Sequence, residues 1–550
     1  MMRHGGKILT DQLMAHGVKR VFSVPGESFL AALDGLHDSG IQNVVCRHEG
    51  GAAMMADAAG KMTGQPGVAF VTRGPGATNA SAGVHVAMQD STPMVLFVGQ
   101  IARGHRDREA FQEVDYRAFF GPIAKWAAEV DQTERLPEYI NRAFHIAMSG
   151  RPGPVVLALP EDMLSASANV PVLAPTAAPV AGVDPAQIDA ILARLGAATS
   201  PLVVAGGPGW SDQAVADLQR FAGAQGLPVV TPFRRQDLMD NRNANYAGDL
   251  GVGMNPALGK RLKAADCLLV LGARFGDIMT GGYALIAPAD PGKTIIHVHP
   301  DPDLPGTVFR TDLALTARPG DVLARLAQAP RAGDWADWTR AARSEYEAWG
   351  TPRETPGTVK MEQVVTWLSN HLPQDAIVTN GAGNYAAFVH RYFTYKGLGT
   401  QLSPTSGSMG YGFPAAVAAS LQYPDRTVVC FAGDGCFQMT LNEMSTAVQY
   451  GATPIVVVCN NGRYGTIRMH QEKTYPGRVS GTDLANPDFA ALARAYGGHG
   501  EVVTEGADFA AAFERAQAAG TLAVIELQVD PNMLSTGASL SETRAAGQKR

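Results

Sequence analysis

The sequence has few cysteines, no long apolar run and no large excess of charge. Only 5 of its 550 residues are cysteine, none in a Cys-x-x-Cys pair, which predicts small buried side chains in a reducing, cytoplasmic setting. No apolar run approaches the roughly 20 residues of a membrane helix. Residues 1–13 also lack the apolar stretch of a secretory signal. We therefore expect neither a disulfide scaffold nor a membrane protein.

The charge balance argues against a nucleic-acid partner. Lys and Arg number 45 and Asp and Glu 51, so the net charge is −6, and no surface for nucleic acid or anionic membrane is implied. A hydrophobic fraction of 46% and a charged fraction of 17% are ordinary for a globular protein. The length predicts roughly three domains of about 150–200 residues each.

Short β-branched runs alternate with longer helical patterns along the whole chain. Such alternation is typical of βαβ units with buried parallel strands. The predicted fold class is therefore α/β, with doubly wound parallel sheets. The strand-like runs are 44–46, 68–72, 94–98, 155–159, 202–205, 268–271, 294–298, 377–379, 428–432, 455–459 and 524–529.

Two irregular segments divide the chain. Residues 165–184 are rich in Ala, Pro and Val, and residues 350–359 are polar with Pro and Thr; both compositions are typical of linkers. We expect the small, polar and charged segment 535–550 to be a mobile tail, or one ordered only by a ligand. The predicted domains are 1–165, 185–340 and 355–550.

The third predicted domain carries a pattern suited to a metal and a diphosphate. A strand-like run leads into Gly433-Asp434-Gly435, a helical pattern through Leu441, Met444, Ala447 and Val448 follows, and the next strand ends at Asn460-Asn461. In a right-handed βαβ unit, Asp434 and Asn461 follow neighbouring strands at the sheet edge where ligands bind. Carboxylate and amide oxygens suit Mg²⁺, and the glycines let a diphosphate approach the backbone.

Gly-Asp-Gly alone is a common turn, but Asn461 follows Asp434 by 27 residues across a strand, a helix and a strand. This pairing resembles the signature of enzymes that depend on thiamine diphosphate (ThDP). The resemblance implies that Asp434, Asn461 and the backbone carbonyl of Arg463 hold Mg²⁺. Cys436 stands where the family often has Ser, and a thiol is a poorer donor. The implied cofactor contacts here are Gly433, Asp434, Gly435, Cys436, Asn461, Arg463, Tyr464 and Gly465.

A second segment narrows the resemblance from ThDP-dependent enzymes in general to one member of that family. Residues 406–415 resemble the acetolactate synthase segment in which a Met side chain wedges under the cofactor, so Met409 takes that role, with Gly407 and Ser408 beside it. A core Met in a glycine-rich turn is the alternative. Upstream, Ala382, Gly383 and Asn384 follow a strand and offer amides to a phosphate, although the synthase usually has Gly-Gln-His in that loop.

The first domain supplies an acid. Arg47-His48-Glu49 follows a strand and opens a helix, where an acidic residue is favourable in any case. The segment resembles the family's activating segment, which implies that Glu49 bonds to the ThDP pyrimidine and promotes its imino form. Burial of such a carboxylate raises its pKa and favours proton sharing.

Two further segments of the first domain resemble the family. The loop at residues 72–79 resembles the Gly-Pro-Gly-Ala-Thr-Asn loop that packs on the pyrimidine, which makes Pro75, Gly76 and Asn79 cofactor neighbours. Phe111-Gln112-Glu113 looks like acetolactate synthase, and Gln112 would face the thiazolium. An ordinary packed polar residue is the alternative for Gln112.

Several positions depart from a standard acetolactate synthase. Glu161 stands where the synthase has a Lys near its substrate channel. Glu27 stands where it has a second Gly, and Arg73 replaces a smaller residue. Glu27 would add an acid–base group if it reaches the reaction centre; an acid at a helix start is the alternative.

The central domain leaves its ligand open. Residues 272–277 resemble the FAD segment of the synthase, but Ile278 replaces an expected Arg, and His297 and His299 lie in place of a strand end that bears Asp. FAD, an adenine nucleotide or no ligand are all consistent with this sequence. The glycine run 206–209 alone is a weak nucleotide signal.

Three functions follow from these residues. The first is an acetolactate-synthase-like decarboxylase and carboligase of 2-oxo acids such as pyruvate, and the second is a ThDP lyase or hydrolase of another carbonyl substrate, which Glu27 and Glu161 motivate. The third is a non-catalytic ThDP-binding protein, disfavoured because Glu49, Asp434 and Asn461 are all present. In the family the two half-sites meet across two chains, so we expect a homodimer or a dimer of dimers.

Overall fold

The computed structural model describes residues 1–549, and it contains three parallel sheets of six strands each. The first sheet has the strand order β3-β2-β4-β5-β7-β6, and β1 pairs separately with β8. In the first domain the strands are β1 (Arg3–His4), β2 (Arg20–Ser23), β3 (Gln42–Val45), β4 (Gly67–Val71), β5 (Met94–Gln100), β6 (Trp126–Glu129), β7 (Pro154–Pro160) and β8 (Ser167–Ala168). Its helices are α1 (Gly5–Ala15), α2 (Leu30–His37), α3 (Glu49–Thr63), α4 (Pro75–Asp90), α5 (Tyr116–Phe120), α6 (Leu136–Met148) and α7 (Glu161–Ser165).

The central sheet has the strand order β11-β10-β9-β12-β13-β14. Its strands are β9 (Pro201–Ala205), β10 (Val229–Pro232), β11 (Tyr246–Leu250), β12 (Cys267–Leu271), β13 (Thr294–His299) and β14 (Leu313–Thr316). The helices are α8 (Pro185–Gly196), α9 (Asp212–Gln225), α10 (Pro256–Ala264), α11 (Pro319–Leu326) and α12 (Ala336–Gly350).

The third sheet has the strand order β16-β15-β17-β18-β20-β19. Its strands are β15 (Ile377–Asn380), β16 (Gln401–Leu402), β17 (Val428–Gly433), β18 (Ile455–Asn460), β19 (His499–Val503) and β20 (Ala523–Gln528). The helices are α13 (Met361–His371), α14 (Tyr385–Tyr392), α15 (Gly412–Gln422), α16 (Asp434–Phe437), α17 (Met444–Tyr450), α18 (Gly465–Thr474), α19 (Phe489–Ala495), α20 (Phe509–Ala518) and α21 (Leu540–Gln548).

Each sheet is covered on both faces, so the predicted doubly wound α/β class is confirmed. In β4, for example, Val68 and Phe70 belong to one apolar cluster, while Ala69 and Val71 belong to another on the opposite face. That second cluster continues into the third domain. The first and third domains therefore share a core, whereas the central domain has two clusters of its own.

The strand orders place a switch point in every sheet. Chain connections run in opposite directions from β2 and β4, from β9 and β12, and from β15 and β17. Loops that leave the carboxyl ends of such strand pairs diverge and open a crevice, where ligands bind in α/β proteins. The fold thus offers three candidate crevices.

The segments between the domains lack regular secondary structure, whereas the segment after the third domain forms a helix. Residues 169–184 and 351–360 form no helix or strand. The prediction of a mobile tail was wrong for the described part of 535–550: Ser539 caps α21, and Arg544 pairs with Glu472. Arg550 lies outside the described residues. Over residues 1–549, no helix has the length and apolar character needed to cross a membrane.

Candidate active site

Glu49 lies at the first position of α3, at the carboxyl edge of the first sheet. Its Oε2 accepts a hydrogen bond from the Asn79 side chain at 3.0 Å. A Cβ added at Gly76 would lie 3.3 Å from Oε1, so only a glycine leaves this approach relaxed. The structure thus brings together three residues that the sequence analysis associated with the pyrimidine.

The loop before Glu49 is fixed by a residue that the sequence analysis missed. Glu443 is fully buried, and its carboxylate accepts hydrogen bonds from the backbone N–H groups of Arg47 and His48 and from the Thr446 hydroxyl. Burial raises the pKa of this carboxyl. Glu443 belongs to the third domain, so no local pattern links it to a loop about 400 residues earlier.

Glu27 and Glu161 converge on one arginine. The Arg73 guanidinium donates to Glu161 at 3.1 Å and lies 3.4 Å from Glu27. Glu27 follows β2, Arg73 follows β4 and Glu161 follows β7. The first switch point, between β2 and β4, therefore lies between Glu27 and Arg73. All three positions depart in sequence from a standard synthase, but only the folded chain shows that they meet.

Gln112 lies against the loop that begins at Gly74. A Cβ added at Gly74 would lie 2.7 Å from the Gln112 Cβ. Gln112 adopts a left-handed backbone with φ of 66°, and its side-chain Oε1 is buried without a hydrogen-bond partner. The Tyr116 hydroxyl accepts from the Gly74 N–H at 2.7 Å, and burial raises the pKa of Tyr116 to about 12. A strained residue with an unsatisfied acceptor is typical of a functional site.

On the third sheet, Asp434 follows β17 and is 3% exposed. Oδ1 accepts from the Gly435 N–H, and Oδ2 accepts from the Gly462 N–H and the Asn486 amide, each at 2.8 Å. Burial raises the pKa of Asp434. Neutral donors alone hold this buried carboxylate, which favours a cation beside it.

Asn461 follows β18, the neighbour of β17, as predicted from the βαβ spacing. Its Oδ1 accepts from the Arg463 N–H at 3.2 Å. The Arg463 Nε is buried and has no hydrogen-bond partner. The rings of Tyr385 and Tyr464 press against Gly433 and Gly435, where added Cβ atoms would lie 2.9 and 2.5 Å from them. These glycines therefore permit close ring packing.

Asn486 is a second residue that the sequence analysis missed. Its amide donates to both Asp434 and the Asn460 side chain at 2.8 Å. In the sequence it stands in Asn-Pro-Asp ahead of α19, where Asp488 is the helix cap. Only the folded chain shows that this amide orients Asp434.

The glycine-rich loops of the third domain meet at Cys436. Its Sγ accepts from the Gly410 N–H at 3.2 Å and lies 3.3 Å from the Tyr385 hydroxyl. Met409 is half-buried and packs against the apolar cluster of this domain. Asn384 accepts from the Thr466 hydroxyl at 3.0 Å and so joins its loop to α18. Gly383 and Gly407 have φ of 152° and 70°, and the neighbouring Ser406 hydroxyl is buried without a partner.

The helix predicted after Gly435 is interrupted. Instead of one continuous helix, α16 ends at Phe437 and α17 begins at Met444. The Thr440 hydroxyl between them donates to the Gly410 carbonyl at 2.7 Å. This tertiary bond ties the break to the loop of Met409.

The central switch point opens into a cavity of about 580 Å³. It lies between the central domain and residues of the other two domains, among them Arg151 and Thr405. Burial and the neighbouring Arg274 guanidinium lower the pKa of Arg151 to about 10. A Cβ at Gly207 would lie 1.7 Å from the Gly272 carbonyl, so the glycine run packs two loops together.

Comparison with known families gives the same three-part division. Residues 3–119 match the N-terminal TPP binding domain of thiamine pyrophosphate enzymes, residues 188–326 match the central domain, and residues 381–527 match the C-terminal TPP binding domain. Thiamine pyrophosphate, or TPP, is ThDP. The chain is also 32% identical over 504 residues to the acetolactate synthase isozyme 2 large subunit of Escherichia coli K12, which covers 91% of both chains.

The chain belongs to the thiamine pyrophosphate enzyme family. Another relative in this family is the mitochondrial acetolactate synthase catalytic subunit of Saccharomyces cerevisiae, 31% identical over 98% of this chain and 83% of the relative. A solved structure of the family, the ThDP-dependent 4-hydroxybenzoylformate decarboxylase of Rhodococcus jostii RHA1, has a TM-score of 0.84 at 27% identity and covers 96% of this chain and 99% of that one.

The three family matches and the acetolactate synthase relatives together confirm the resemblance to acetolactate synthase. The protein is a ThDP-dependent enzyme of the kind that forms or cleaves carbon–carbon bonds. Which substrates it uses has to be inferred from the residues of the site.

Proposed function

We propose that the enzyme uses ThDP and Mg²⁺ to decarboxylate a 2-oxo acid such as pyruvate, and that it joins the remaining fragment to a second carbonyl or a proton. The observation that carries this proposal is the placement of Glu49 against Gly76 and Asn79 at the edge of the first sheet. The likeness to acetolactate synthases and to a 2-oxo acid decarboxylase supports it.

The residues of the third domain fit a metal diphosphate. The Asp434 carboxylate is buried among neutral donors, and Asn461 adds an amide oxygen on the next strand. Two polar atoms are buried without partners in the segments assigned to the cofactor: Ser406 Oγ, next to Gly407, and Arg463 Nε, two residues after Asn461. Hard oxygen ligands completed by phosphate oxygens are what Mg²⁺ prefers. We therefore assign Asp434, Asn461 and the Arg463 carbonyl to the ion, and the loops around Gly383, Ser408 and Gly465 to the cofactor.

When bound, ThDP supplies a nucleophilic carbon and an electron sink for the loss of CO₂. Glu49 holds a proton at its carboxylate for the pyrimidine ring, while the Asn79 amide orients that carboxylate. Glu443 fixes the backbone in front of it. The unsatisfied Oε1 of Gln112 is available to a substrate hydroxyl or carbonyl-derived group.

The test is turnover of pyruvate with added ThDP and Mg²⁺, followed by NMR, for wild type and Glu49→Gln. The amide keeps the shape but cannot share the proton, so we expect the rate to fall about 10²–10⁴-fold with ThDP still bound. Glu134→Gln, at an exposed position of the same domain, is the matched control and should retain activity. Full activity of Glu49→Gln would refute the role of Glu49, and no turnover of pyruvate by the ThDP-bound wild type would refute pyruvate as the substrate.

We further propose a homodimer, or a dimer of dimers, in which the two half-sites meet across the interface. Large apolar side chains are exposed beside both of them: Phe111 next to Gln112, Leu30 near Glu27, and Met439 and Ile467 near Asp434 and Gly465. A partner chain that covers both half-sites would also cover these side chains. A cytoplasmic location stays a prediction, which the five buried free thiols support.

The cavity of the central domain fits a phosphate-bearing nucleotide. Arg151 and Arg274 repel each other there, and an anion between them would relieve this repulsion. The aromatic residues Phe275, Tyr283 and Phe309 line the same cavity. Flavin absorbance of the purified protein would identify FAD, and release of an adenine nucleotide on denaturation would identify the alternative ligand.

A ThDP lyase or hydrolase of a different carbonyl substrate is the second candidate. The Glu27–Arg73–Glu161 contact favours it, because these carboxylates replace the small and basic residues of a standard synthase. A panel of diketones and acyl-CoA thioesters would separate this candidate from the first.

A further inference from the structure

The loops after β2, β4 and β7 hold one charged cluster. Arg73 lies between Glu27 and Glu161, with its NH2 nitrogen 3.4 Å from the first carboxylate and its NH1 nitrogen 3.1 Å from the second. We call these three residues the acceptor cluster. Its formal charge is −1, because one guanidinium serves two carboxylates.

The buried side of the acceptor cluster is fixed by close packing and a hydrogen bond. Arg73 is 9% exposed, whereas the side chains of Glu27 and Glu161 are 63% and 39% exposed in the single chain. The Ser28 and Thr72 hydroxyls bond at 2.9 Å, and a Cβ at Gly26 would lie 2.4 Å from the Thr72 side chain. The guanidinium therefore lies at the buried end of the cluster, and the two carboxylates face the crevice.

Chain connectivity brings the acceptor cluster close to the reacting region. Arg73 immediately precedes Gly74, which packs against Gln112, and Gly76, which approaches Glu49. The loop that contacts Glu49, the proposed proton-sharing acid, thus begins at the cluster. A carbonyl that reacts beside Gln112 would meet the field of Glu27 and Glu161.

We propose that the acceptor cluster selects the second reactant: it favours an uncharged carbonyl or a proton and disfavours the anion of a second 2-oxo acid. This inference rests on the proposed decarboxylation. Both terminal nitrogens of Arg73 already donate to a carboxylate of the protein, and its Nε is buried. A substrate carboxylate near the cluster is repelled by the net negative charge. Specificity then comes from the rejection of the charged acceptor.

The competing reactions of pyruvate differ in the second reactant. In each one, the bond between the carboxylate and the carbonyl carbon of pyruvate breaks and releases CO₂. Pyruvate and a proton give acetaldehyde and CO₂; pyruvate, acetaldehyde and a proton give acetoin and CO₂; two pyruvate ions and a proton give acetolactate and CO₂. Only the last reaction brings a second carboxylate into the site.

The experiment supplies the ThDP- and Mg²⁺-loaded enzyme with ¹³C-labelled pyruvate and an equal concentration of acetaldehyde. NMR gives the ratio of acetoin plus labelled acetaldehyde to acetolactate. We expect wild type to favour the products of the uncharged route at least about tenfold. Glu161→Lys should move the ratio at least about tenfold toward acetolactate, because the cluster changes from net negative to net positive.

Glu161→Gln is the milder variant, in case the lysine disturbs folding, and it should shift the ratio in the same direction by a smaller factor. Glu514→Lys makes the same charge change at an exposed position of α20 and should leave the ratio unchanged. A merely structural role of the cluster would lower the total rate without moving the ratio.

Two results would overturn the inference while decarboxylation itself stands: acetolactate as the main product of wild type, or an unchanged ratio in both folded Glu161 variants. Absence of CO₂ from wild type on pyruvate and other 2-oxo acids, with ThDP demonstrably bound, would overturn the proposed function and this inference together.

Discussion

The surroundings of Asp434 show how single residues form a site that suits a divalent cation. Asp434 is buried, and three N–H groups hold its two oxygens. Such donors favour the ionised form, while burial acts against it and raises the pKa. A divalent cation would complete this arrangement. The donor that comes from farthest along the chain is Asn486, which also contacts Asn460 on the adjoining strand.

Asn486→Leu should weaken cofactor binding more than it weakens folding. The substitution leaves Asp434 with its backbone donors but removes the amide that orients Oδ2. Loss of such supporting contacts typically costs about 10–100-fold in metal affinity, and we expect a loss of this size in a titration with Mg²⁺ at saturating ThDP. The control is Gln438→Leu, which removes the side chain that donates to the Asn486 carboxamide oxygen but removes no side-chain contact to Asp434. Equal affinity in Asn486→Leu and wild type would contradict the assigned role.

The residues that could be predicted from sequence are those next to strand ends. Asp434 and Asn461 follow apolar runs at a spacing that fits a βαβ unit, so the sequence places them on neighbouring strands. Glu443 and Asn486 could not be found in this way, because their partners lie elsewhere in the chain and their local context is an ordinary helix or loop. The meeting of Glu27 and Arg73 depends on strand order, which periodicity does not reveal.

Among the secondary-structure elements, α21 shows how the end of the chain supports the site. Glu472 of α18 is fully buried and accepts hydrogen bonds from Arg468, Arg544 and the Gly477 N–H. The hydrogen bond from Arg544, more than any other factor, lowers the pKa of Glu472 to about 2. Because α18 begins at Gly465, this contact secures the helix that follows Asn461.

Arg544→Met should reduce the free energy of unfolding by about 1–2 kcal/mol at neutral pH, a modest value because the guanidinium is partly exposed. The folded-state pKa of Glu472 is depressed, so its stabilisation is present above its ordinary pKa and is lost as the pH falls toward 2. The difference between wild type and variant should therefore shrink below about pH 4.5. Denaturant unfolding at several pH values measures this.

Arg515→Met is the control for that experiment, since it removes an ion pair to Glu501 from the surface. We expect it to cost less than Arg544→Met, because its ion pair is solvent-exposed. A difference between Arg544→Met and wild type that stays constant down to pH 2 would contradict the role given to Glu472.

Most strands could be predicted because buried parallel strands are continuous apolar runs with a characteristic length. The helices were harder where tertiary contacts override local preference. The bond from Thr440 to Gly410 divides α16 from α17, and the ion pair of Arg544 with Glu472 orders a segment whose composition is typical of a tail. Neither partner is close in sequence.

In the whole molecule, the two half-sites lie on different sheets: Glu49 is at the edge of the first sheet, and Asp434 is at the edge of the third. If they meet across a dimer, Glu49→Gln on one chain and Asp434→Asn on the other fall in the same site of a mixed dimer, and the second site is intact. Co-expression of the two inactive variants should then restore about a quarter of wild-type activity, because half of the randomly paired dimers are mixed and each has one intact site. Two differently tagged Glu49→Gln chains are the control and should stay inactive. Activity no higher than that of the single variants would show that the site forms within one chain.

The division of apolar cores has a consequence for engineering by recombination. The first and third domains share one cluster, while the central domain keeps its own. In chimaeras with relatives, segment 185–350, which ends with α12, should therefore transfer as an independent module, and new nucleotide preferences could be imported with it. Segments 1–165 and 355–550 should transfer only as a pair, because exchange of either one alone would mismatch the side chains that pack α3 against α15.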